Sequence, residues 1–360
     1  MAFLIVRISQ KRTEALKLGR SKKISSLQDL ADLAEVSRAT ASRALNDNPR
    51  IALETRERLQ ALAREHGYSI NRRARDLRLQ RNSVVSVVFM LDIRSQQHMS
   101  DLFFLDMLGG IADALAAKDY DLLLAHAPVI DAAKLADGRA MTQSDGIIFI
   151  GQERQHAQLN ELADSNRPMV VWGHPVSDKR YVVVGSDNFN GGNQATSHLI
   201  ATGRRRIAFF GNTANPENAA RFGGYHSALS DAGIPYDPSL HFDIPFTMES
   251  ARDTVTRLLS ERTDFDAVVC VSDVVALATI SAIQRQGLSV PEDIAVTGYD
   301  DIGLAAYSSP TLTTVRQDIG RAGEVLVETL LCMINGEAYG DTALTTKLIV
   351  RESTGQAETL

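Results

Sequence analysis

Cysteine is nearly absent: the 360 residues hold two, Cys270 and Cys332, far apart in the chain. That excludes a disulfide framework, an iron–sulfur cluster and a Cys-rich zinc site, and it fits a reducing cytosol. No apolar run approaches the roughly 18 residues that span a bilayer, so no membrane partner is expected. The apolar start from Met1 to Val6 ends at Arg7, too short for an export signal. Nucleotide and nucleophile motifs are also missing. There is no G-x-G-x-x-G, no G-x-x-x-x-G-K-[ST], no G-x-S-x-G and no H-E-x-x-H. The eight histidines are scattered without metal-ligand spacing. No catalytic residue, metal or cofactor is therefore assigned, and binding is favoured over catalysis.

What is present is unevenly charged. Residues 1–80 hold 17 Lys+Arg against 9 Asp+Glu, a net of +8, while residues 81–360 hold 21 against 35, a net of −14. A basic module joined to an acidic body suggests that the first part meets a polyanion. On charge alone, a basic surface with no partner is equally open.

Residues 1–23 read as a basic N-terminal arm. From Ile24, Leu27, Leu30, Ala31, Leu33 and Ala34 recur at helical spacing behind a Ser26 cap. A second helix fits Arg38 to Leu45, capped by Ser37, and a third runs from about Leu53 to His66 and stops at Gly67. The turn between the first two is so short that they form a helix-turn-helix candidate over residues 24–69. Residues 70–81 are very basic.

From Val84 the texture changes, and residues 82–360 alternate buried-type strands with helices. Strands are expected at Val84–Met90, Leu122–Ala125, Gly146–Ile150, Met169–Trp172, Tyr181–Val184, Ile207–Phe210, Ala267–Val271 and Ile294–Thr297. Helices are expected at Leu105–Lys118, Gly192–Thr202, Phe222–Ala232, Met248–Ser260 and Val274–Gln286. This is the pattern of a doubly wound α/β body, with enough elements for two subdomains. The pairs Gly109-Gly110, Gly191-Gly192 and Gly223-Gly224 are placed at helix starts and read as close-packing positions rather than phosphate cradles. Asp187, Asp273 and Asp300 follow strands, at the edge where open α/β sheets bind ligands. Asp273 is read as a helix N-cap.

The run from Ser26 to Asn46, SLQDLADLAEVSRATASRALN, resembles the lactose/galactose repressor (LacI/GalR) family of bacterial transcription regulators. The likeness continues through Glu54–Arg58, His66-Gly67-Tyr68 and Asn71…Ala74…Leu77. In the body it includes Asp187-Asn188, Arg221–Tyr225, Val271-Ser272-Asp273, Thr297–Asp301 and Leu312–Val315. Three departures stand out. Glu35 occupies the turn where the family has Gly, Ile70 precedes the hinge in place of Pro, and Gly173 stands where a ligand-facing Asp is usual.

The resemblance implies a helix-turn-helix module and a hinge helix followed by a two-subdomain, periplasmic-binding-protein-like body. It implies operator DNA as partner. Arg38 and Ala39 would read bases and Arg43 a guanine, while Ser37, Thr40, Ser42 and Asn46 would hold phosphates. Leu27, Arg50 and Thr55 complete that set. Asn71, Ala74 and Leu77 would form the hinge helix, with Leu77 wedged between base steps; packing of Leu77 on the body is the alternative. A small effector, a sugar or oligosaccharide, would meet Phe104, Gln152, Arg221, Phe246, Ser272, Asp300 and Gln317. Arg221 would bond effector hydroxyls or a carboxylate with Asp300 as its acidic partner, unless the two simply form an ion pair. The stretch Ser100–Leu105 is similar to regulators of α-glucoside and oligosaccharide use. The short polar tail after Val350 leaves no room for a tetramerising heptad helix, so a homodimer is expected. The family reading gives a repressor released from a palindromic operator by sugar. A regulator that needs its ligand to bind DNA, a sugar-binding protein without regulatory role and an α/β enzyme are the competing readings.

Overall fold

The computed structural model describes residues 24, 26–45, 47–68, 82–90, 97–126, 138–152 and 155–355. The basic arm, Asn46 and the hinge segment with Asn71, Ala74 and Leu77 lie outside the described residues. The chain divides into two compact units, Met1–Arg81 and Asn82–Leu360.

The first unit holds α1 (Leu27–Leu33), α2 (Arg38–Leu45) and α3 (Leu53–Glu65). A reciprocal capping box starts α1. Ser26 Oγ accepts from the Asp29 N–H at 3.1 Å, and the Asp29 carboxylate accepts from the Ser26 N–H at 3.0 Å. Ser37 Oγ caps α2 by accepting from the Thr40 N–H at 3.0 Å. In the turn between them Glu35 sits at φ 54°, left-handed, so the missing glycine costs up to ~1 kcal/mol here. Arg58 of α3 compensates by donating to the Ala34 carbonyl at 2.9 Å. Leu30, Ala31, Ala41, Ala44 and Leu59 are fully buried where the three helices meet. Small alanines at the crossing let the helices approach closely, and Leu59 alone contributes about 1.5–3 kcal/mol by burial.

The second unit contains two six-stranded sheets. The first comprises β1 (Val84–Phe89), β2 (Asp121–His126), β3 (Gly146–Ile150), β4 (Met169–Trp172), β5 (Val182–Ser186) and β11 (Thr342–Leu344), in the order β11-β5-β4-β3-β1-β2. The second comprises β6 (Ile207–Phe210), β7 (His241–Phe242), β8 (Ala267–Cys270), β9 (Ala295–Asp300), β10 (Thr313–Gln317) and β12 (Thr346–Ile349), in the order β12-β10-β9-β8-β6-β7. All pairs are parallel except β10 with β12. Strands such as β3, GIIFI, are apolar throughout because both faces of a parallel sheet are covered. The helices α4 (Leu102–Ala116), α5 (Arg139–Thr142), α6 (His156–Ala163) and α11 (Ile319–Asn335) accompany the first sheet. The second has α7 (Asn188–Ala201), α8 (Pro216–Asp231), α9 (Met248–Glu261) and α10 (Asp273–Arg285).

The chain passes between the two subdomains three times, after β5, after β10 and between β11 and β12. The first two passages each open a helix with an aspartate cap. Asp187 accepts from the Asn190 N–H and Asp318 from the Arg321 N–H, at 3.0 and 3.1 Å. Rigid caps at these passages fix where each subdomain begins.

Several expectations are corrected. Helices start earlier than their apolar periodicity: at Leu102, Asn188 and Pro216, directly after Asp101, Asp187 and Asn215. Gly109-Gly110 and Gly223-Gly224 therefore lie inside helices rather than at their starts. The close-packing role does hold where α7 meets α8. A Cβ on Gly192 would strike the Arg221 carbonyl, and one on Gly224 the Phe189 carbonyl. Asp273 is not the cap of α10. Ser272 fills that position, accepting from the Val275 N–H at 3.3 Å, and Asp273 is wholly buried behind it.

Candidate functional site

In the first unit, α2 turns Ala41 and Ala44 into the core and leaves Ser37, Arg38, Ala39 and Arg43 exposed. Ala41 and Ala44, three residues apart, share one helix face, while Ala39 and Arg43, four apart, lie on the opposite one. Arg38 and Arg43 are both exposed on one short helix. Thr40 and Ser42 are half-buried, and Ser37 and Thr40 are joined side chain to side chain at 2.8 Å. Arg50 is exposed, Thr55 is half-buried, and Leu27 packs partly against the core.

The second unit has a cleft between its subdomains at the carboxyl ends of both sheets, enclosing about 780 Å³ with its open mouth included. One wall is built by Asp101, Phe103 and Phe104 at the start of α4, Gln152 after β3, and Trp172 at the end of β4. The other wall is built by Asn215, Glu217, Asn218 and Arg221 on α8, with Phe246, Ser272 and Asp300. Six of the seven effector-facing residues expected from sequence line it. Gln317 does not. It stands behind Asp300, donating from Nε2 to Asp300 Oδ1 at 2.7 Å, and borders a second concavity.

Arg221 is buried and held on three sides. Nε donates to Asn188 Oδ1 at 2.9 Å, Nη1 donates to the Val271 carbonyl, and the guanidinium lies 3.7 Å above the Tyr299 ring. The ring face supplies a cation–π contact. Among the described residues no ion pair joins Arg221 to Asp300. The two face the cleft as separate groups, a donor and an acceptor.

Asp300 ends β9 at φ 114°, and Asp301 follows at φ 57°. Two consecutive non-glycine residues in this region cost roughly 1–3 kcal/mol each, so something must hold them. Asp301 is clamped by Arg316 Nε at 2.6 Å and Arg351 Nη2 at 2.7 Å. Behind the turn, Asp273 accepts from Thr314 Oγ1 and, at 2.9 Å, from the Ile302 N–H. Burial pushes the Asp300 carboxyl up to about 6, against the opposing pull of Arg221 and Gln317. Burial first, and then the Asp300 charge, push Asp273 well above the usual carboxylate range. Burial likewise raises Glu217, with Arg221 opposing.

Gln152 explains the departure at Gly173. Its side-chain amide occupies the space that a Cβ on residue 173 would take. There its oxygen accepts from the His174 N–H at 2.8 Å, while Nε2 donates to Tyr181 Oη at 3.0 Å. A polar amide from β3 thus stands where the resemblance leads one to expect an aspartate.

Sequence reasoning missed Asp101, Phe103, Trp172, Asn215, Glu217 and Asn218 as cleft residues. For three of them a signal existed. Asn215-Pro216 is a cap followed by proline at the first helical position. A helix starting there places residues 217 and 218 four and three positions before Arg221, on one face.

A sequence profile described as "Bacterial regulatory proteins, lacI family" matches residues 26–71, and one described as "Periplasmic binding protein-like domain" matches residues 196–354. The chain is 33% identical to the HTH-type transcriptional regulator CelR of Thermobifida fusca, over 91% of this chain and 97% of that one. Among solved structures, a transcriptional regulator CelR–cellobiose complex aligns with TM-score 0.69 and 32% identity, covering 91% of this chain and 99% of the other. The lac repressor dimer bound to operator and the anti-inducer ONPF aligns with TM-score 0.76, covering 91% and 98%. At 24% identity that second likeness speaks for the fold.

Proposed function

The chain belongs to the lacI family of bacterial regulatory proteins and is a DNA-binding transcription regulator; from that premise we propose that it is a repressor of carbohydrate-utilisation genes, released from its operator when a sugar fills the cleft. The observation that carries the proposal is the chemistry of the cleft. Phe104, Trp172 and Phe246 offer apolar ring faces, while Arg221 donates and Asp300 accepts. That combination suits a pyranose, which has a flat C–H face and a rim of hydroxyls. The structure of CelR with cellobiose supports a sugar of this kind. The protein would act as a cytoplasmic homodimer on a palindrome, with no catalytic step of its own.

Binding of the operator and of the sugar are then opposed. A gel-shift titration on the DNA upstream of the protein's own gene, with and without a panel of mono- and disaccharides, tests this. The expected result is release by at least one sugar. Linkage requires operator DNA to weaken that sugar's binding by the same factor. A sugar that tightens the complex would instead make the ligand a co-repressor, and a panel without effect on a bound operator would remove sugar from the reading.

The DNA side has its own test. Arg43 is exposed on α2, and the family resemblance suggests that it donates to a guanine edge. Arg43→Ala is expected to weaken specific binding by about 1–3 kcal/mol and to relax base preference at one position of each half-site. Selection of binding sites from a randomised operator pool reads this directly. Unchanged preference at every position would show that α2 is seated differently in the groove.

A further inference from the structure

We infer that the cleft admits an uncharged polyhydroxyl effector and rejects the same sugar carrying a carboxylate, with Glu217 and Asp101 enforcing the choice. This rests on the sugar reading above and decides which of Arg221's two possible partners, hydroxyl or carboxylate, is its own.

The lining brings together three carboxyl groups from three elements. Asp101 immediately precedes α4, Glu217 lies in the first turn of α8, and Asp300 ends β9. Among the described residues that line the cleft, Arg221 is the sole cation. Its Nε and Nη1 are spent on Asn188 and Val271, and its face on Tyr299. A guanidinium so committed is fixed in direction, and its remaining N–H groups on Nη1 and Nη2 serve a hydroxyl as readily as a carboxylate. Glu217 stands four residues before it on the same helix face, so an anion approaching Arg221 also approaches Glu217. Asp300 lies on the Arg221 side as well, on the wall opposite Asp101.

Burial already disfavours the charged forms of these groups. Asp101, Glu217 and Asp300 are all raised by desolvation. A further negative charge would raise them again, so a uronate could enter only by taking up protons or by meeting like charges at short range. At about 6 Å and an effective dielectric near 20, one such encounter disfavours binding by about a hundredfold. A hydroxyl avoids the problem, because it donates to a carboxylate and accepts from Arg221 without adding charge.

The test is calorimetric titration of the full chain at pH 7.5. The panel is glucose, galactose, cellobiose and maltose, each paired with the uronic acid that differs by a terminal carboxylate. The expected result is that a neutral sugar binds and its acid binds about a hundredfold more weakly. Glu217→Gln, which keeps shape and removes charge, should narrow that ratio by about tenfold, and Asp101→Asn should act in the same direction. Two results overturn the inference while leaving the sugar reading intact: a uronate that binds as tightly as its neutral partner, or a ratio unmoved by both substitutions. A panel in which neither neutral nor acidic sugars bind overturns the sugar reading and this inference with it.

Discussion

Arg221→Ala is expected to leave operator affinity within about twofold of the parent and to abolish release by the effector, giving a repressor that cannot be induced. The argument begins with what the side chain holds. Its guanidinium connects Asn188, at the passage between the subdomains, to the Val271 carbonyl at the end of β8 and to the Tyr299 ring on β9. Truncation removes the donor offered to the effector. It also leaves Asn188 Oδ1 and the Val271 carbonyl without that partner, at roughly 1–3 kcal/mol each. The body should therefore lose stability as well as its response, and chemical denaturation must accompany the binding measurement. Arg221→Lys separates the two effects. An ammonium is a point charge and cannot span both acceptors and stack on a ring, so part of the stability should return without the induction. The operator contacts proposed above lie on α2, in the other compact unit. Normal induction in the alanine variant would assign Arg221 a purely structural role.

How far this site was legible in the sequence depends on the residue. Arg221 and Asp300 were legible because each belongs to a run, Arg221–Tyr225 and Thr297–Asp301, that resembles a family in which such positions face ligand. Strands such as β3 and β6 were legible because a parallel strand buried on both faces must be apolar throughout. The strand β10, Thr313–Gln317, was not, since its buried Thr313, Thr314 and Gln317 are satisfied by tertiary hydrogen bonds that no local pattern announces. Asp273 was misread for a related reason. Ser272 and Asp273 are both good capping residues, and only the third dimension shows that the aspartate is taken up by Thr314 and Ile302. Gln317 was read as facing the effector, yet it acts at one remove, on Asp300. Glu217 was missed because the helix was begun at the first apolar residue, Phe222, rather than at the cap.

The second large effect concerns Asp300, where binding and stability pull against each other. Its carboxyl is pushed up to about 6 by burial, from 3.8 for an unperturbed aspartate. The folded protein thus holds this proton to higher pH than the unfolded chain does. The associated stability is fully present below about pH 4 and is lost as pH rises through about 6. At pH 7.5 the ionised group therefore costs the fold free energy. Asp300→Asn removes that cost. Asparagine is near in size, is tolerated at positive φ, and its Oδ1 can still accept from Gln317. It also removes the charge that helps to raise Asp273. The variant should therefore melt higher at pH 7.5, by about 2–4 °C for each kcal/mol recovered, and its stability should fall less between pH 4 and 7. Effector affinity should fall by about 10–100-fold, because an amide N–H₂ replaces a carboxylate oxygen facing the sugar's hydroxyl donors. Thermal unfolding across this pH range, paired with sugar titration, checks both halves. An unchanged pH slope would mean that Asp300 ionises as an ordinary surface carboxylate. Retained sugar affinity would mean that the effector does not reach it. If both expectations hold, the Arg316 and Arg351 clamp on Asp301 acquires its reason: it holds in place a strained, buried carboxylate that the fold alone would discard and that the cleft requires.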